Sequence, residues 1–283
     1  MATFFNQATL SYSGGTVNSN ITTGEILEVL AATKTAVYDR YAPGSDITYA
    51  VNIVNSGTIA FTGLTVTDDL GAYAFGTTTL QPLDYVDGSI RYFVDGVLQP
   101  APTVTAGPPL VISGINVPAS GTATILYAAR ANTFAPQDVE GTIVNTVTIS
   151  GGGITPLTAT ETVSAEAEPR LTITKSVSPT TVTENGQLTY TFVIQNTGNV
   201  LADATDAVVV TDTFDPILTG LTVTYNGTPW TSPASYTYNE ATGLFSTAVG
   251  SITVPAATYT QDPTTGAWVV DPGVAVLTVT GTI

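Results

Sequence analysis

LTYTFVIQNTG, residues 188–198, decides how the rest of the chain is read, because it has a near copy in ITYAVNIVNSG, residues 47–57. Both alternate apolar and polar residues, the period of a strand with one buried face, and both end in an Asn-x-Gly turn. Tyr49 pairs with Tyr190, Val51 with Phe192, Ile53 with Ile194, Asn55 with Asn196 and Gly57 with Gly198. The likeness continues outward. LAATKTA (30–36) parallels LTITKSV (171–177), LTVTDDL (64–70) parallels VVVTDTF (208–214), and INVPA (115–119) matches ITVPA (252–256). Short alternating runs between Gly, Pro and Asn turns, present twice, predict an all-β chain in which one sandwich is repeated.

Composition bounds the rest. A chain of 283 residues has room for two cores, and 43% hydrophobic with only 10% charged residues marks it as folded. The prediction is two tandem immunoglobulin-like β-sandwiches. A net charge of −16 with six basic residues would repel a phosphate backbone or an anionic membrane, so nucleic acid is not an expected partner. Cys and His are both absent, which removes disulfides, thiolate sites and the commonest base and metal ligand. The acidic turns at 84–88 and 203–206 lack the spacing of a calcium loop, and neither a metal nor a cofactor is expected. No run approaches the roughly 20 apolar residues of a membrane helix. The first residues lack the basic and apolar regions of a secretory leader, so an intact Met1 fits release by lysis, as from a sporulating mother cell.

The repeats differ in length. After GTATILYAARA (121–131) the first repeat continues into IVNTVTIS (143–150), whereas GVAVLTVTGTI (273–283) closes the second. The second repeat is therefore expected to want its last strand. FNQATLSYSGGTVNSNITTGEI (5–26) resembles VNTVTISGGGITPLTATETV (144–163), which places the missing strand at the other end of the chain. The expected organisation is an N-terminal donor segment (1–26), a complete sandwich (27–166) and a sandwich lacking its last strand (167–283). An open edge over an uncovered core invites another strand. The expected supplier is a second copy, through Phe4, Ala8, Leu10 and Tyr12, and such a heterologous contact propagates into a fibre unless it closes into a ring. A tail folded onto its own domain, or unfolded, is the alternative.

The two lysines of the chain, Lys34 and Lys175, stand at equivalent positions. By the period of two, each shares a strand face with apolar residues, as do Asp68 with Leu64, Val66 and Leu70, and Asp212 with Val208, Val210 and Phe214. Asn145 lines up with Ile143, Val147 and Ile149, and its counterpart Asn6 with Phe4, Ala8 and Leu10. Polar groups directed into a core must find one another. Burial favours a neutral, nucleophilic amine and a protonated carboxyl. An amine held against a carboxamide beside such an acid can form an amide and release ammonia. The expected pairs are Lys34 with Asn145, assisted by Asp68, and Lys175 with Asn6 of a neighbour, assisted by Asp212. An unreacted Lys–Asp pair with the Asn bonded to backbone is the alternative.

The order Lys, Asp, Asn resembles the intramolecular isopeptide bonds of Ig-like domains in bacterial pili and collagen-binding adhesins. LTITKSVSPTTVTENGQLTYTFVIQNTGN (171–199) and VVVTDTF (208–214) are similar to the conserved-repeat Ig-like domain of bacterial and archaeal surface proteins. Two-repeat chains of this size resemble components of spore appendages of anaerobic spore formers. The resemblance implies a non-enzymatic structural subunit of an extracellular or spore-surface filament, a homopolymer that contacts other surface or appendage proteins. The competing reading is a cell-surface adhesin or carbohydrate-binding module. No carboxylate pair stands out as a glycosidase dyad.

Overall fold

Strands form where Val, Ile, Tyr and Phe alternate with Thr, Ser and Asn, and they stop at Gly, Pro and Asn turns. The structure, a computed structural model, describes residues 2–26 and 29–283. The expected start of the first sandwich at Leu27 lies outside the described residues. The chain opens with β1 (Ala2–Asn6), β2 (Thr9–Tyr12), β3 (Gly15–Asn18) and β4 (Thr22–Ile26). Next come β5 (Leu30–Ala36), β6 (Asp46–Asn55), β7 (Phe61–Asp68), β8 (Arg91–Val94), β9 (Leu110–Val117), β10 (Thr122–Ala131), β11 (Thr142–Ser150) and β12 (Leu157–Ala165). The C-terminal part holds β13 (Leu171–Ser178), β14 (Gln187–Asn196), β15 (Thr211–Thr213), β16 (Thr219–Tyr225) and β17 (Tyr236–Asn239). It ends with β18 (Leu244–Thr247), β19 (Thr258–Gln261), β20 (Trp268–Asp271) and β21 (Gly273–Thr282). Among the described residues no helix is long and apolar enough to cross a membrane.

In the first sandwich one sheet runs β8-β10-β6-β5 and the other β9-β7-β11-β12. Their inner faces, with Val51, Ile53 and Ile125 on one side and Val66, Ile112 and Ile149 on the other, enclose one core. A second core forms around Phe192, Ile194, Phe214, Phe245 and Leu277. There β13-β14-β21-β16 repeats the first sheet, while the facing sheet, among the described residues, is β15-β18-β17. The chain is thus all-β and built of packed sheets.

The facing sheets differ at one edge. β7 lies between β9 and β11, whereas β15 has β18 on one side and, among the described residues, no strand on the other. The inner face of β13 is correspondingly uncovered, with Ile173 52% exposed. Leu171, Ile173, Ile194, Val208 and Val210 line an apolar groove of about 140 Å³ there.

The N-terminal segment is a hairpin rather than a lone strand: β1 pairs β4 and β2 pairs β3. Asn6 stands opposite Thr22, and Asn145 opposite Glu161 in the β11–β12 hairpin. Aligning Asn6 with Asn145 therefore aligns both arms at that level. Nearer the tip, Leu10 faces Val17, so the return arm has one extra residue between Asn18 and Thr22, a bulge. The hairpin packs on neither core, and residues 3–23 are all exposed.

Candidate functional site: a buried Lys–Asp–Asn cluster and its open counterpart

Lys34 stands on β5, the edge strand of one sheet, opposite Val51 of β6. Asp68 ends β7 of the facing sheet, where its cross-strand partners are Leu110 on β9 and Val147 on β11. Both side chains point into the space between the sheets, and neither is reached by solvent. Lys34 Nζ meets Asp68 Oδ2 at 2.8 Å. Asp68 Oδ1 accepts the Leu70 N–H at 2.7 Å, and the Tyr127 hydroxyl donates to Oδ2. Lys34 Nζ also lies 4.8 Å from the Tyr49 ring centroid, over a face that attracts a cation.

Asn145 is fully buried on β11, two residues before Val147 and on the same face. Its Oδ1 accepts the Gly71 N–H at 3.2 Å, while its Nδ2 and the nearby Tyr49 hydroxyl have no hydrogen-bond partner among the described residues. Asp69 fastens this strand to the turn: its Oδ1 accepts the Thr146 N–H at 3.0 Å, and its own N–H donates to Thr146 O.

Burial lowers the pKa of the Lys34 ammonium, against the opposing pull of the Asp68 charge and hydrogen bond. Burial and then the Asp68 charge push the Tyr127 phenol well up. Tyr49 is likewise raised by burial, with the Asn145 amide acting the other way. An ammonium eased toward its neutral form beside a proton acceptor is the nucleophile that amide exchange needs. Lys34 is placed to hand a proton to Asp68.

The second set is placed differently. Lys175, on edge strand β13, is ion-paired with Asp212 on β15, but their side chains are 40% and 17% exposed. Lys175 Nζ lies 4.5 Å from the Tyr190 ring centroid, as Lys34 lies over Tyr49. Tyr127 faces Tyr49 across its strand pair, and Val279 faces Tyr190, so a valine stands where the first site has its phenol. Among the described residues, no asparagine occupies the place equivalent to Asn145. Asn6, Phe4, Ala8, Leu10 and Tyr12 are on the free hairpin and do not meet Lys175 or Asp212 within the chain.

Sequence reading missed Tyr127 and Gly71. The tyrosine alternates with Ile125 and Ala129 and reads as plain core, while the glycine follows the strand and reads as plain turn. The strand expected over 208–214 is narrower, and only Thr211–Thr213 pair, with β18.

No family model and no curated protein matches the chain. Among solved structures it is similar to BcpA, the major pilin subunit of Bacillus cereus, at 10% identity and a TM-score of 0.36, covering 96% of this chain and 73% of that one. It is also similar to the pilus backbone RrgB from Streptococcus pneumoniae at 13% identity and a TM-score of 0.36, covering 86% of this chain. The match spans 55% of that pilus chain, a little over half its length. A third is the collagen-binding domain of a Staphylococcus aureus adhesin, at 11% identity and a TM-score of 0.29, covering 50% of this chain and 99% of that domain. At this level of likeness none of them says what the present chain binds or assembles with.

Proposed function

We propose that the chain is a structural subunit of an extracellular or spore-surface filament, in which the N-terminal hairpin of one copy completes the second sandwich of the next. The observation that carries this reading is a pair of complementary features: a free hairpin that repeats the β11–β12 register at Asn6, and an open edge on β15 where β7 has β11. Laid on β15 as β11 lies on β7, the hairpin sets Ala8 opposite Asp212 and Leu10 opposite Val210. Phe4 and Leu10, now 53% and 64% exposed, then leave water, at about 1.5–3 kcal/mol for each side chain fully buried. Asn6 reaches the level of Lys175 and Asp212. Condensation of Asn6 with Lys175 fastens each junction, and condensation of Asn145 with Lys34 fastens each first sandwich.

Electron microscopy and boiled-detergent gels of the full chain test this. The expected result is filaments that leave a ladder of multimers, reduced to monomer by Asn6→Ala or Lys175→Ala. Deletion of residues 1–26 should give folded, non-polymerising monomers. Ordinary filaments from that deletion would overturn the exchange, and clean monomer from boiled wild-type filaments would overturn the covalent junction alone.

A further inference from the structure

The turn after Asp68 brings a second backbone donor to the cluster. Leu70 and Gly71 both lie in the left-handed region, at φ 56° and 73°. The Leu70 N–H is thereby aimed at Asp68 Oδ1, and the Gly71 N–H at Asn145 Oδ1. Gly71 shares its proton with Asp69 Oδ1 at 2.9 Å. Only glycine fits here, since a Cβ would strain the positive φ and would meet Ile143 Cγ2 at 2.5 Å and Pro82 Cγ at 3.0 Å. The carboxamide is therefore gripped at its oxygen, while its nitrogen, beside the Tyr49 and Tyr127 phenols, makes no hydrogen bond among the described residues. That asymmetry suits a reaction in which the oxygen gains charge and the nitrogen departs.

We infer that the Gly71 N–H is the oxyanion donor for condensation of Lys34 with Asn145, which rests on the reading of this cluster given above. Lys34 passes one proton to Asp68, and the freed amine lone pair attacks Cγ of Asn145. The C–O π pair moves onto Oδ1, where the Gly71 N–H meets the developing negative charge in a dry site. The attacking nitrogen gives up a further proton and Nδ2 takes one, with Asp68 relaying them. The C–N bond breaks as the oxyanion pair returns, leaving one secondary amide, one neutral ammonia and the first lysine proton on the Asp68 carboxyl. In the second repeat Phe214 and Asp215 stand at these positions, and neither has a positive φ. The junction thus lacks this turn, and its bond forms more slowly than the internal one.

The test uses the full chain carrying Lys175→Ala, so that only the internal site can react, recovered unfolded and unreacted and then refolded while intact mass follows ammonia loss. Glycolic acid in place of Gly71 makes the linkage an ester without the N–H. The expected result is the same folding transition with bond formation slowed about 100-fold. An unchanged rate would overturn the donor role while leaving the bond standing. A parent chain that never loses ammonia would overturn both. A second measurement does not depend on the ester folding. In the unreacted Asp68→Ala chain, adding Asn145→Asp places charge at the acceptor, and the Gly71 amide proton should move downfield further than those of Leu70 and Ala72. An unmoved Gly71 resonance would also overturn the assignment.

Discussion

Lys34 and Asp68 come from facing sheets, 34 residues apart in sequence, and meet at 2.8 Å with no access to solvent. Removing one member of such a pair strands the other charge in the core, at about 3–5 kcal/mol. Asp68→Ala should therefore be less stable by that order than Asn145→Ala, which keeps the pair and cannot cross-link. Urea unfolding of the two variants measures the difference. Equal midpoints would mean that Lys34 finds water once its partner is gone.

The lowered Lys34 pKa has a pH signature in the uncross-linked Asn145→Ala protein. Below its ordinary value of 10.5, and down to the lowered folded value, the unfolded chain binds a proton that the folded chain does not. Stability then rises with pH across that window, by at most about 1.4 kcal/mol per unit. It is fully lost below the folded pKa, where the proton must be carried into the core. The raised phenols of Tyr49 and Tyr127 act oppositely above their ordinary 10.0, because the folded state keeps protons that the unfolded state releases. The expected profile climbs toward the ordinary lysine value and turns over near 10, where the phenols begin to act. Adding Lys34→Met should flatten the climbing limb.

Tyr127→Phe removes the phenol that donates to Asp68 Oδ2 and keeps the ring that stacks on Tyr49 at a centroid distance of 5.6 Å. A hydrogen bond to a charged group is worth about 1.5–3 kcal/mol, so the Asn145→Ala background should lose that much in chemical denaturation. Val279→Tyr is not the reverse experiment, since the Asp212 side chain is partly exposed whereas that of Asp68 is fully buried.

Leu10→Ser separates assembly from folding. The side chain is 64% exposed in the isolated chain, so monomer stability should move by no more than about 0.5 kcal/mol. Filament growth followed by light scattering should nonetheless fall sharply, because a hydroxyl would enter the apolar groove at Val210. Growth at the wild-type rate would remove Leu10 from the docking face.

Asn196 closes the turn that follows β14. Its Oδ1 accepts the Arg170 and Gly198 N–H groups, both at 2.9 Å, and its Nδ2 donates to Val200 O at 2.7 Å. Asn196→Ala leaves these backbone groups unsatisfied, at about 1–3 kcal/mol each where they stay buried. Thermal unfolding should show loss of the second sandwich before the first. The equivalent Asn55→Ala should reverse that order, since Asn55 grips Gly57, Ile59 and Pro118.

Period-two alternation and the duplicated Asn-x-Gly motif were enough to read off strands, faces and repetition, because a strand's side-chain direction is a local property of the backbone. They set Lys34, Asp68 and Asn145 on inward faces and showed that residues 5–26 copy 144–163. Which strands share a sheet is not local. Only the tertiary structure put β5 and β7 on facing layers, so that an ammonium and a carboxylate inside the core meet across it. Tyr127 was invisible as a donor because an alternating tyrosine looks the same whether or not its hydroxyl finds a carboxylate. Gly71 was invisible because a backbone N–H leaves no mark in sequence, and its aim depends on two successive positive φ angles and on where β11 passes. The donor segment read as one strand because alternation records each arm separately. Its folding into a hairpin is decided by pairing between the arms, which matches Asn6 with Thr22 and leaves the apolar face uncovered.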